Sequence, residues 1–297
     1  MNNEVIVLFG AGSIGKAIVR RVAAGRNLLL ADYNEAKLVE MKQHLTEAGF
    51  NVETIQADLS SRESIKTVVS KAQSLGKIMG LVNAAGVSPS QASPEQVLKV
   101  DLYGTAVLLE EFGQVMAPGS AGIVISSQSG HRLPALSQAD NQALAMTPTE
   151  ELLDLPILQP DVIKDSLAAY QYAKRTNVLR VAAESVKWQA RSARINTISP
   201  GIIMTPLAVD ELNGPRGAGY KKMFESMVTK RPGTPDEIAN LAELLMDRVV
   251  PLSQGVISWL MAELPHNIGM VMFQKFVTMA SRNRILRRVY YESSNFY

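Results

Sequence analysis

Val5-Ile6-Val7-Leu8-Phe9 runs straight into Gly10-Ala11-Gly12-Ser13-Ile14-Gly15, and apolar residues at helical spacing follow. Five apolar residues in a row fit a short strand buried on both faces. A G-x-G-x-x-G spacing between a strand and a helix fits a turn that brings bare backbone up to a pyrophosphate, whose charge the helix N-terminus then meets. Taken alone, the same glycines also fit an ordinary tight turn between packed elements. The neighbouring sequence decides between the two.

Outward from this loop, short apolar runs at 5–9, 28–31, 52–56, 79–83 and 123–126 alternate with helix-period segments at 14–24, 35–47, 61–75 and 94–116. A further helix over 170–191 and a strand over 194–199 bring the strands to six. Strand–helix alternation of this kind predicts an α/β fold: one doubly wound parallel Rossmann sheet with helices on both faces. Residues 1–250 read as one Rossmann-type domain, within which 130–169, rich in Leu, Pro, Gln and Met, breaks the alternation and reads as an insertion. Inside it, Thr147-Pro148-Thr149-Glu150 has the form of a helix start. The stretch 206–219, with Gly214, Pro215, Gly217 and Gly219, reads as a mobile loop beside a site, followed by a helix to about Lys230, and Thr234-Pro235-Asp236-Glu237 starts one more helix.

Composition narrows the function. The 297 residues are 46% hydrophobic and 20% charged, a globular balance, and the formal charge of +2 carries no basic stripe suited to nucleic acid. With no cysteine and three scattered histidines, neither a disulfide framework, a thiolate nucleophile nor a metal site is expected. No apolar run reaches the ~18 residues of a membrane span, and the N-terminal residues lack the form of a signal peptide, so a cytoplasmic protein is expected.

Chemistry-bearing residues recur at the strand ends. Asp32 closes the second strand, 17 positions after Gly15, where a carboxylate accepts hydrogen bonds from ribose hydroxyls and repels a 2′-phosphate; this favours NAD over NADP, although an Asp that only begins a turn would look the same. Asp58-Leu59 follows the third strand and Asn83-Ala84-Ala85-Gly86 the fourth. Tyr170 and Lys174 stand four apart, hence one turn apart on one helix face, and an ammonium there favours the phenolate of a phenol that is otherwise a weak base at neutral pH. Ser127 is placed to hold a substrate oxygen. An aromatic packed under a lysine stem would satisfy the Tyr-x-x-x-Lys spacing equally well.

In order along the chain, the glycine loop, Asp58-Leu59, Asn83-Ala84-Ala85-Gly86, Ile125-Ser126-Ser127-x-x-Gly130, Tyr170-x-x-x-Lys174 and Pro200-Gly201-x-x-x-Thr205 resemble the short-chain dehydrogenase/reductase family up to about Met246. That resemblance implies a hydride transfer between NAD(H) and a secondary alcohol or ketone. It implies that Ser127 polarises the carbonyl, Tyr170 exchanges the proton, and Lys174 lowers the Tyr170 pKa and binds the nicotinamide ribose. Gly10, Gly12, Ser13, Ile14, Gly15 and the strand-end residues would hold the cofactor, with Pro200, Gly201, Ile202 and Thr205 at the nicotinamide end. It further implies a homodimer or homotetramer.

Three departures matter. Phe9 stands where the family's glycine motif has Thr, and the glycine spacing is the shorter dinucleotide type. Asp101, in Val100-Asp101-Leu102-Tyr103-Gly104, stands where the family has a catalytic Asn; its charge beside Lys174 would shift the proton affinities of the relay, while a purely structural Asp fits the local sequence as well. Ser127 and Tyr170 lie 43 positions apart, so 130–169 is an added element. Its Leu133, Pro134, Leu136, Leu144, Met146, Leu152, Leu153, Leu155, Ile157 and Leu158 are expected to wall a pocket for a bulky, steroid-like substrate or to form a dimer-contacting flap. Two other readings accompany the dehydrogenase: a degraded, non-catalytic NAD-binding protein, and an epimerase or dehydratase of the same family.

The tail, 251–297, is atypical. The family's last strand reads like T-G-x-x-F-x-V-D-G-G, and no such text follows Met246. Residues 258–273, back-translated with permitted codons and read two bases later, give Met-Val-Asp-Gly-Gly-Ala-Thr-Ala, one free residue, then Tyr-Trp-Tyr-Gly-Asp-Val; residues 253–257 in the same shifted frame give Ile-Thr-Gly-Ser-Asp-Phe. A frame change between Asp247 and Leu252, leaving the seventh strand missing or altered, is therefore expected. The alternative is a genuine extension with a helix over 268–281.

Overall fold

A computed structural model of the chain describes residues 3–214, 217–226, 230–247 and 257–258. The six expected strands form: β1 (Glu4–Phe9), β2 (Asn27–Asp32), β3 (Asn51–Gln56), β4 (Lys77–Asn83), β5 (Ala121–Ile125) and β6 (Arg194–Ile198). They pair in parallel in the order β3-β2-β1-β4-β5-β6. A two-residue β7 (Ile257–Ser258) adds to β6 opposite Thr197 and Ile198. The last strand is thus present only in reduced form among the described residues; the remaining tail expectations, the frame change and the helix over 268–281, fall on residues outside them.

The strands read as unbroken apolar runs because both faces are covered. Along β1, Val5, Val7 and Phe9 enter a core shared with α3 (Arg62–Leu75), α5 (Thr105–Gly113) and α7 (Ser166–Gln189), through Ile65, Val68, Leu108, Phe112 and Trp188. Ile6 and Leu8 enter the opposite core with α1 (Ser13–Val22), α2 (Glu35–Glu47) and α10 (Pro235–Met246), through Ile18, Val19, Leu38, Met41, Ile238 and Ala242. The period-2 alternation of strand side chains does this partitioning. The Thr234 start of α10 is a full capping box with Glu237, as its sequence predicts.

Four expectations are corrected. The stretch read as a loop from 206 holds α8 (Pro206–Asn213), begun by a hydrogen bond from the Ala208 N–H to the Thr205 hydroxyl with Pro206 in the first turn; the helix expected after it forms as α9 (Gly217–Ser226). None of the insertion's leucines from Leu133 to Leu158 lines the cavity that holds Tyr170 and Lys174. The insertion folds as α6 (Gln138–Met146) and two 3₁₀ turns (Thr149–Asp154 and Pro156–Leu158). Leu144, Leu152 and Leu158 are buried there in a third core, against Val97, Leu98, Leu102, Ala106, Ala169 and Ala173. The expected Thr147 cap is absent, since the turn follows Pro148 without a side-chain cap, and the Thr147 carbonyl instead accepts from Arg180.

The expected helix over 94–116 is broken into three. α4 (Pro94–Val97), with a Ser93–Gln96 capping box, passes into a π-helical segment over Leu98–Gly104 and then into α5. The wider turn re-aims the side chains of the segment, as π insertions at functional positions do. Asp101 lies in it, buried at 1% exposure.

Candidate active site

The strand order reverses between β1 and β4, and their carboxyl ends part to leave a crevice where open parallel sheets take ligands. The glycine loop lies here, each glycine with a different job. Gly10 has φ +96°, and a side chain on it would meet the Ala84–Ala85 backbone at 2.5–2.7 Å. Gly15 has its loop packed against it, with the Gly10 carbonyl 2.5 Å from where a Cβ would stand. Above Gly12, in contrast, a Cβ would meet nothing within 4 Å. Gly12 is the N-cap of α1 and supplies no side-chain cap to the helix's first N–H groups. Open space over uncapped donors fits a pyrophosphate, so these residues suit the dinucleotide the motif implies.

Asp32 joins this loop to the second strand. Its Oδ2 accepts from the Ala11 N–H at 2.6 Å and its Oδ1 from the Asn34 N–H at 2.8 Å, which turns the carboxylate toward the loop. Asp58 Oδ1 accepts from the backbone and hydroxyl of Ser60, and Asn83 is buried, with its amide donating to Thr105. Asn83 therefore braces the loop after β4 and presents no side chain to the crevice. Gly10, Gly12, Ser13, Gly15, Asp32, Asp58, Leu59 and Asn83 all lie outside the cavity described next.

That cavity, about 240 Å³, gathers Ile14, Ala84, Ala85 and Gly86 from the loops after β1 and β4. Asp101 enters from the π-helical segment, Ser127 from the end of β5, and Tyr170 and Lys174 from α7, while Pro200, Gly201, Ile202 and Thr205 follow β6. Ser127 is held by two close approaches. Ser126 donates to the Lys174 carbonyl at 2.7 Å, and Gly130 sits so tightly on α7 that a Cβ would come 2.5 Å from the Arg175 nitrogen. Helix α7 and the β5 end are thus locked together, with Ser127 close enough to the Tyr170 phenol to draw its pKa down.

Lys174 Nζ stands 5.2 Å from the Tyr170 ring centroid and 3.1 Å from Asp101 Oδ2. The Asp101 contact is one of charge rather than of an aligned hydrogen bond, and the other oxygen, Oδ1, accepts from the Val87 N–H at 2.8 Å. Burial pushes the Asp101 carboxyl up against the pull of Lys174 and Val87. Burial also works against the Lys174 ammonium, but Asp101 and the phenol outweigh it and hold the Lys174 pKa above its ordinary value. The Tyr170 phenol is raised: burial pushes it up, Lys174 draws it down as expected, and Asp101 pushes it up again.

Several residues around the cavity escaped the sequence reading. Ser88, Gln128, Glu211 and Tyr220 line it, the last two from α8 and α9. The Thr205-Pro206 pair was the available signal for α8, since it has the same cap-and-proline form as Thr234-Pro235. His131, buried beside the site with Nε2 3.0 Å from Ser199 Oγ, had no local signature. Among the described residues no group of acidic, His or Cys side chains suits a metal ion, and no helix is long and apolar enough to cross a membrane.

Residues 3–138 match the short chain dehydrogenase family model, and residues 134–257 match the model described as enoyl-(acyl carrier protein) reductase. The chain is 37% identical over 247 residues to the short-chain dehydrogenase/reductase bsc3 of Alternaria brassicicola, covering 83% of this chain and 90% of that one. It is 27% identical over 259 residues to the 3-alpha-hydroxysteroid dehydrogenase/carbonyl reductase of Comamonas testosteroni, with coverages of 85% and 93%. The solved 3-alpha-hydroxysteroid dehydrogenase of Pseudomonas sp. B-0831, complexed with NADH, superposes with a TM-score of 0.68 at 22% identity, covering 86% of this chain and 94% of that one. With the ordered motifs, the parallel sheet and the near full-length relative in agreement, the chain belongs to the short-chain dehydrogenase/reductase family of oxidoreductases.

Proposed function

We propose that this protein is an NAD-dependent dehydrogenase that interconverts a secondary alcohol and a ketone, with Tyr170 as general acid and base. The observation that carries the reading is the convergence of Ser127, Tyr170 and Lys174 on one cavity beside an open glycine loop. Bound NAD(H) supplies the hydride acceptor or donor. In the oxidative direction Ser127 donates a hydrogen bond to the substrate oxygen, and Tyr170 takes the hydroxyl proton as its phenolate. Lys174, one helical turn away, stabilises that phenolate and binds the nicotinamide ribose. Asp101 holds the Lys174 ammonium in place and in its charged form. In reduction Tyr170 returns the proton. Pro200, Gly201, Ile202 and Thr205 shape the nicotinamide end, while Asp58, Leu59 and the loop from Asn83 to Gly86 border the adenosine half.

Asp32 favours NAD over NADP in this proposal, because its carboxylate, already turned toward the loop, accepts from ribose hydroxyls and repels a 2′-phosphate. A small-molecule alcohol or ketone is the partner, and a homodimer or homotetramer in the cytoplasm is the proposed working form. With Leu144, Leu152 and Leu158 in the third core, a bulky apolar substrate loses the wall on which that expectation rested; the named activity of the Comamonas relative still supports including hydroxysteroids in a test.

One observation favours a rival, a protein that binds NAD without turnover: Asp101 already engages the ammonium that the relay needs. Calorimetric binding of NAD and NADP, followed by turnover of hydroxysteroids and sugar alcohols by the wild type and by Tyr170→Phe, separates the two. Turnover lost by about 10²-fold or more in Tyr170→Phe, with NAD binding kept, supports the enzyme. Tight NAD binding with no turnover of any alcohol supports the rival.

A further inference from the structure

The cavity carries a second polar group that the proton relay does not use. Glu211, on α8, reaches into it from the side formed by α8, α9 and the loop after β4. Its Oε1 accepts from Ser90 Oγ at 2.9 Å, and its Oε2 accepts from the Tyr220 hydroxyl. Behind Ser90, the hydroxyl of Ser88 lies 2.7 Å from Ser90 Oγ and accepts from the Ser90 N–H at 3.2 Å; Ser88 itself is buried at 4% exposure. Two hydroxyls, one from the loop after β4 and one from α9, therefore converge on one carboxylate at the same cavity that holds Tyr170, and Ser88 backs the first of them.

A carboxylate offers about four acceptor sites over its two oxygens, and one donor is seen on each, so acceptor capacity remains. The charge is close enough to the phenol to push the Tyr170 pKa up, which places Glu211 within electrostatic reach of the reacting atoms. Serine and tyrosine hydroxyls can donate as well as accept. The Ser90 and Tyr220 protons are already given to Glu211, so what stays open at this cluster is acceptor capacity: a ligand hydroxyl can donate to it, whereas a carbonyl would face the carboxylate's lone pairs.

Resting on the dehydrogenase reading of this site, we propose that Glu211 is a specificity-determining residue that accepts a hydrogen bond from a second hydroxyl of the substrate, so that the natural substrate is a diol or a hydroxyketone rather than a simple alcohol. Ser88, Ser90 and Tyr220 hold the carboxylate in position.

The test uses the full chain with NAD present and a series of alicyclic diols, each paired with its mono-alcohol and with the methyl ether of its second hydroxyl. Binding is read by calorimetry and turnover by NADH absorbance, for wild type, Glu211→Gln and Glu211→Ala. The wild type is expected to bind the best diol about 10- to 100-fold more tightly than the paired mono-alcohol or ether, the range of one hydrogen bond to a charged group. In Glu211→Ala that ratio falls to within about threefold, and Glu211→Gln, which keeps the shape, lies between. A wild-type ratio near one for every pair, or a ratio that Glu211→Ala leaves unchanged, overturns the inference whether or not turnover occurs. A Glu211-dependent diol preference in binding without NADH formation keeps the inference and removes the dehydrogenase reading instead.

Discussion

Replacing Asp101 tests the least usual feature of the site. At 3.1 Å, a unit charge pair interacts by about 5 kcal/mol at an effective dielectric of about 20, and both partners are buried, so this attraction is set against the cost of taking each charge out of water. Removing only the carboxylate leaves the Lys174 ammonium buried without its counter-charge and the Val87 N–H without its acceptor. We expect Asp101→Ala to lower stability by about 3–5 kcal/mol in urea unfolding without cofactor. Asp101→Asn keeps an oxygen for Val87 and loses less. Its clearer effect is on chemistry: Asp101 pushes the Tyr170 phenol up, so removing its charge brings the phenol down. The group whose ionised form is the base then becomes active at lower pH, and the acid limb of the kcat/KM profile for alcohol oxidation moves toward acid in Asp101→Asn. A limb that stays put, or moves toward base, refutes the electrostatic role; an Asp101→Ala protein as stable as wild type refutes the structural one.

His131 makes stability fall in mild acid. Its pKa is lowered from 6.5 to about 4, mainly by burial and then by the nearby Arg175 charge, so the folded state binds fewer protons than the unfolded one. The stabilisation is complete above about pH 6.5 and is lost as pH falls toward 4, an expected decline of about 3 kcal/mol in unfolding free energy, which a urea series across that range measures. Asp32→Ser should weaken NAD about 10- to 100-fold and narrow its margin over NADP, as read from dissociation constants for both. Sequencing the gene across the codons for Asp247 to Leu252 should reveal the frame change; an unbroken frame that close relatives share through Tyr297 would show the tail to be genuine.

Much of the fold was legible because its signals are local. Each strand of a sheet covered on both faces must be apolar throughout, so β1 to β6 announced themselves as short apolar runs, α2 and α3 by their spacing, and α10 by its cap. Tyr170 and Lys174 could be paired from sequence because one helical turn sets their separation. The third core was not legible: leucines at helical spacing in 130–169 state that something will bury them, not what. The π turn at Asp101 left no mark either, because the residues of Leu98–Gly104 suit an unbroken α-helix just as well.

By itself the sequence determined the parallel sheet, the glycine loop and the one-turn spacing of Tyr170 and Lys174, since periodicity, capping and four-residue spacing all act within one element. Only the tertiary structure decided which side chains from separate elements meet. It set Asp101 against Lys174 and closed Gly130 onto α7 so that Ser127 faces Tyr170. It drew the insertion's leucines away from the cavity and brought Glu211 into it. Those contacts depend on how packed layers and charges share a buried volume, a property of the assembled chain that no local stretch encodes.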